Sequence, residues 1–151
     1  MTVADAVCPT CSIPVDAGFF DSSRITPAPR LPGEEVVLAS YELHSNYCGI
    51  LLYFSQFTDA FAADPSLVET DGFQWQIRCN GQPRYPYLTF DRIINPWGMA
   101  GFPIHLRLEE GCLVELVIRR VGTATPAISK VGGRLLGRYW YNPAYGYAGS
   151  P

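Results

Sequence analysis

Cys8-Pro-Thr-Cys11 is the one short motif in this chain whose residue types and spacing could carry metal or redox chemistry. A structural zinc site needs four ligands, usually from two such pairs, whereas Cys48, Cys79 and Cys112 are solitary and sit in strand-like sequence. A thioredoxin-like role needs a strand before the motif and a helix after it, and Pro14 denies the helix. Cys8 and Cys11 are therefore candidates for a disulfide, within their own segment or to a neighbouring subunit, while Cys79 and Cys112 read as small buried apolar residues.

Hydrolytic chemistry finds little to work with. His44 and His105 are the two histidines; His44 falls in a turn, and His105 lies on the polar side of an alternating strand opposite Ile104 and Leu106. Glu34-Glu35 and Glu109-Glu110 flank or join strands, as solvated turn acids do, and nothing pairs them as acid and base. There is no Gly-x-Ser-x-Gly elbow, and Gly132-Gly133-Arg134 has neither the spacing nor the following helix of a phosphate loop. The expectation is a protein that is not an enzyme, with no catalytic residue, cofactor or metal.

The elements around these residues are mostly strands. From Met1 to about Glu34, five prolines and no sustained periodicity predict an extended N-terminal arm over residues 1–34, long enough to lie on a neighbour. Val36–Leu43 and Gly49–Phe57 read as strands joined at His44-Ser45-Asn46, which predicts a hairpin. Phe73, Trp75, Ile77 and Cys79 alternate with polar residues, and Asn80-Gly81 supplies a strong turn signal. Tyr85, Tyr87 and Phe90 extend the return strand, limited by Pro83 and Pro86. A second hairpin is expected from Phe102–Leu108 through Glu109-Glu110-Gly111 to Cys112–Val121, then a closing strand over Val131–Tyr141 bent near its glycines. Thr58–Val68 has room for a helical turn or two, interrupted by Pro65, and little other helix is expected. Together these give an all-β, antiparallel β-sandwich over residues 35–142, with a jelly roll as one form open to it, followed by an aromatic C-terminal tail at 143–151.

With 151 residues, 48% of them apolar, the chain can bury a core as one domain. A net charge of -3 without a Lys/Arg cluster argues against nucleic acid and anionic membrane as partners, and no apolar run approaches the roughly 20 residues of a spanning helix. The N-terminus has an acid where a signal peptide is basic, so classical secretion is not expected. Lys130 is the sole lysine among eleven basic residues, and arginine is the cation favoured at interfaces. Tyr139, Trp140, Tyr141, Tyr145 and Tyr147 crowd the C-terminus, where the first three read as the end of the closing strand. Tyr145 and Tyr147, with Trp97 in its Pro/Gly loop, are the candidate subunit contacts.

The runs YCGILLYFSQFTD, WQIRCNGQPRYPYLTFDRIINPWG, FPIHLRLEEGCLVELVIRR and VGGRLLGRYWYN resemble accessory virion proteins of tailed bacteriophages, small β-sandwich subunits of the neck or collar or decorating the head. The resemblance covers roughly Glu35 to Asn142 and leaves Cys8 and Cys11 outside it. It implies a virion structural protein, assembled in the host cytoplasm as a symmetric homo-oligomer and contacting portal or connector, capsid or tail proteins. The alternative from another class is a carbohydrate-binding β-sandwich module, in which an exposed Trp97 would stack on a sugar ring.

Overall fold

The computed structural model describes residues 13–58, 73–84, 102–121 and 129–141. Within them lie eight strands and no helix: β1 Gly18–Pro27, β2 Glu35–Glu42, β3 Tyr47–Thr58, β4 Phe73–Cys79, β5 Gln82–Pro83, β6 Phe102–Leu108, β7 Leu113–Arg120 and β8 Lys130–Tyr141. Two four-stranded antiparallel sheets pack face to face. Sheet A has the order β1-β8-β3-β6, and sheet B has β2-β7-β4-β5. The chain folds back on itself like a doubled ribbon. β1 pairs with β8, β2 with β7, β3 with β6 and β4 with β5, so each of these pairs has strand numbers summing to nine.

Period-2 alternation builds the core. Phe73, Trp75, Ile77 and Cys79 of β4 face inward together with Val114, Leu116 and Ile118 of β7, and they meet Leu51, Phe54 and Leu135 from sheet A. Burying each large side chain of this kind is worth about 1.5–3 kcal/mol, which is what fixes the register of both sheets. The same alternation carries Arg120 inward. It is 2% exposed, with its guanidinium 5.5 Å from the centre of the Phe73 ring.

The Asn80-Gly81 turn forms as its sequence predicts. Both residues have positive φ, 52° and 80°, the combination that a two-residue hairpin of right-handed twist requires, and β4 passes directly into β5. Two other expectations need correction. β2 and β3 lie in different sheets, as do β6 and β7, so neither neighbouring pair forms a hairpin ladder. The four residues Leu43–Asn46 and the four residues Glu109–Cys112 cross between sheets instead, and the strands pair with β7, β8 and β3. Hydrogen bonds bind these crossovers together: Leu43 N donates to Cys112 O, and Asn46 N donates to Glu110 Oε1 at 2.7 Å.

The expected arm over 1–34 is also corrected where it is described. Gly18–Pro27 is a strand of the sandwich, in register with β8 along its whole length. Pro27 ends it, Pro14 lies before it and Pro29 and Pro32 after it, and Phe20 is its buried anchor. Where β1 passes β2 across the sheets, Ser40 N donates to Ser22 Oγ and Arg24 Nη1 donates to Val37 O, which closes that side. In the β1–β2 connection Glu34 accepts from the backbone N–H groups of Arg30 and Leu31, while Gly33 and Glu34 bond to the Arg120 backbone. The closing strand is unbroken. The register shift falls on β3, between Leu51 and Tyr53, and not at the glycines of β8.

Candidate functional site

Three places on the sandwich gather chemically distinctive side chains. At the end where β1 begins and β8 finishes, a chain of rings runs from core to surface. Phe20 stacks on Tyr41 at 4.4 Å with planes 7° apart, Tyr41 meets Tyr139, Tyr139 meets Tyr47, and Tyr47 meets Tyr141 edge-on at 5.8 Å. The inward phase of β8 packs Tyr139 against the core, and Tyr141 ends the row at the surface. Burial raises the Tyr41 hydroxyl above its ordinary range, and the neighbouring Tyr139 adds to this. Beside the rings lies a cleft of about 420 Å³ lined by Pro14, Asp16, Gly18, Tyr47 and Tyr139–Tyr141. Its two sides are the first described residues of the chain and the last.

The second place is the outer face of sheet A. Phe19 and Ile25 are each 66% exposed there and Tyr53 is 42% exposed. They share the face with Leu136, Trp140, Arg107, Arg134 and Arg138. Arg138 lies 4.5 Å from the centre of the Phe19 ring and Arg107 5.6 Å from that of Trp140, cation–π contacts that keep aromatic rings at the surface in fixed positions. Ile50, flanked in register by these two arginines, is fully covered although it faces away from the core. Asp21 and Arg134 form a two-pronged ion pair, which holds the Asp21 carboxyl below its ordinary range. At the far end of this face a groove of about 430 Å³ runs between Ile25 and Phe57, floored by Gly132.

Sheet B turns a different surface outward. Arg78 grips Glu35 with two hydrogen bonds of 2.8 and 2.9 Å and also donates to Gln76, while Arg119 donates to Gln74. The Arg78 hydrogen bonds lower the Glu35 carboxyl. This face satisfies its own charges.

The third place is Cys79 with Cys112. Both thiols are buried, as their strand positions predict, and they touch. The contact with Cys79, together with burial, pushes the Cys112 thiol far above the ordinary range, so it stays protonated. Among the described residues no three metal-ligating side chains come together, and no helix is long and apolar enough to cross a membrane.

Of the residues singled out in the sequence, Cys8, Cys11, Trp97, Tyr145 and Tyr147 lie outside the described residues. His105 is exposed on the outer face of sheet A, and His44 sits in the β2–β3 crossover with its ring edge-on to Tyr47. Sequence reasoning missed the outer face of sheet A, although one signal was present: Phe19, Ile25, Tyr53 and Phe57 are apolar residues on the solvent phase of their strands. No family model, no curated protein and no solved structure matches the chain.

Proposed function

We propose that this chain is a non-enzymatic structural protein of a tailed-phage virion, forming a symmetric homo-oligomer at the neck or collar, where head joins tail, or on the capsid surface. The observation that carries the reading is the outer face of sheet A, where aromatic and arginine side chains are held in place on a solvent-facing sheet. That composition, poor in Lys and Glu and rich in rings and Arg, is the one found at the centre of protein interfaces. The same proposal takes the body as a jelly roll. The ribbon pairing of strands 1 with 8, 2 with 7, 3 with 6 and 4 with 5 supports it, and double-sheet folds of this kind serve viral capsid and lectin domains.

The test is the mass of the purified full-length chain by native mass spectrometry or light scattering across a concentration series. A closed oligomer of defined stoichiometry is expected, and a monomer at every concentration would refute the reading. Removing residues 1–12 should weaken assembly while leaving the circular dichroism spectrum unchanged.

A carbohydrate-binding module is the second reading, and the aromatic cleft favours it. Tyr47, Tyr139, Tyr141 and the Asp16 carboxylate combine stacking surface with a hydrogen-bond acceptor, as sugar sites do. A glycan array with the wild type and Tyr141→Ala separates the two, because the structural reading gives no glycan signal. Trp97→Ala, at a residue outside the described ones, is read in the same assay.

A further inference from the structure

We infer that the outer face of sheet A docks onto the acidic turn-bearing end of a second copy of this chain, in a head-to-tail contact. The inference rests on the homo-oligomer reading and names its interface. Charge is what selects the occupant. Lys130, Arg107, Arg134 and Arg138 face outward on this sheet with Asp21 as the one carboxylate among its described residues. Among the described residues this face therefore carries four cations against one carboxylate. Stacking two such faces on each other would set arginines against arginines, which disfavours a two-fold contact of this face with itself.

The complementary surface is on the same molecule. Asp16 just before β1, Glu42 at the end of β2, and Glu109 and Glu110 in the β6–β7 crossover are all exposed at the end of the sandwich where β1 starts and β8 stops, with Arg84 the nearby cation. One copy therefore offers a cationic, aromatic face and an acidic end, two different surfaces that fit each other. The size is adequate. Four strands spaced about 4.8 Å apart and running about 25–35 Å present roughly 600 Å² in projection, comparable with the about 800 Å² of accessible surface that each partner buries in a standard interface. Phe19 and Tyr53, with Ile25 and the groove beside Phe57 at the far end, supply the apolar surface. A contact between two different patches propagates, so it builds a ring if the rotation closes and a filament if it does not.

The experiment is a charge swap in the full-length chain, read by sedimentation velocity with circular dichroism to confirm folding. The face variant Lys130→Glu/Arg134→Glu and the end variant Glu42→Lys/Glu109→Lys should each weaken self-association by roughly tenfold or more, and all four substitutions in one chain should restore it. Should the ion-pair loss at Asp21 disturb folding, Ile25→Ser removes exposed apolar surface without touching charge and should also weaken assembly. Raising salt from about 0.1 M to about 1 M shortens the screening length from about 10 Å to about 3 Å and should dissociate the wild type. An oligomer untouched by both two-site variants and by Ile25→Ser overturns the interface and leaves the homo-oligomer reading standing. Failure of the four-site chain to reassemble overturns the pairing of face with end. A wild type that is monomeric at low salt overturns both, and one that stops at a dimer overturns the head-to-tail geometry.

Discussion

Gly137, like Gly49, is a glycine on which the ring-capped end of the sandwich depends. A Cβ built there would run into the tip of the Phe20 ring and into the Ile50 carbonyl oxygen. The ring could swing, but the carbonyl belongs to the β3–β8 ladder and cannot yield without moving a central strand. Gly18 makes a useful contrast. Its missing Cβ is also crowded, 2.6 Å from Cζ of Tyr139, yet every close atom there is at the far end of one side chain. Overpacking a core costs about 1–3 kcal/mol, and replacing glycine by alanine returns about 0.4–1 kcal/mol through the unfolded chain. Gly137→Ala should therefore lose about 1–2 kcal/mol net, which for a chain of this length lowers Tm by about 2–8 °C. Gly18→Ala should stay within about 0.5 kcal/mol of the wild type, since the Tyr139 ring can move into the adjoining cleft. Differential scanning calorimetry or denaturant melts measure both. In a Phe20→Leu background the Gly137→Ala loss should shrink but not vanish, because the carbonyl clash remains. Equal effects at positions 18 and 137, or complete rescue by Phe20→Leu, would show that the backbone does not set the approach of β1, β3 and β8.

Glu35 should make the protein sensitive to acid. Its folded carboxyl lies below its unfolded value, so its contribution is present above about pH 4.5 and is lost as pH falls through the folded value. Because the pair is partly solvated, the effect should be about 0.5–1 kcal/mol, and Arg78→Met should flatten the acid limb of a Tm-against-pH curve; an unaltered limb would mean that the pair contributes nothing. Cys79 and Cys112 should resist iodoacetamide in the native protein and react only on unfolding, as mass spectrometry of the alkylated chain would record; labelling of both within minutes under native conditions would contradict their burial. Deleting residues 1–34 should abolish the cooperative melt, since it removes β1 from the edge of β8; a folded 1–34 deletion would show that β1 is dispensable.

The strands that present one alternating face were legible in the sequence, and the pairing of strands was not. β4 could be read from Phe73-x-Trp75-x-Ile77-x-Cys79, and its turn from Asn80-Gly81, because both signals are local. The connections His44-Ser45-Asn46 and Glu109-Glu110-Gly111 look like hairpin turns, yet a connection of four residues spans the roughly 10 Å between packed sheets as readily as it reverses within one. What decides between the two is burial by distant strands, which no short window contains. β1 escaped notice because an edge strand with one inward phenylalanine has no period to detect. Arg120 was within reach: continuing the inward phase of Val114, Leu116 and Ile118 by two residues lands on it, but a charged side chain is not what that phase normally selects. The outer face of sheet A needed the fold, since Phe19, Tyr53 and Trp140 become one surface only when three strands from distant parts of the chain are laid side by side.

The ribbon pairing also governs how the protein comes into being. β8 is the last of the described strands to be synthesised, and it lies inside sheet A, hydrogen-bonded to β1 on one side and to β3 on the other. Until it arrives, β1 has no ladder partner and β3 has only β6, so sheet A cannot close before β8 has been made. Contacts between strands so far apart in sequence carry a large loop-closure cost before any of them is rewarded, which makes folding slow and leaves unpaired edges exposed in the interval. For a protein made in quantity, that interval is when identical chains can exchange β1 or β8 with one another, and yield should depend on temperature and synthesis rate more steeply than the finished sandwich's stability would suggest.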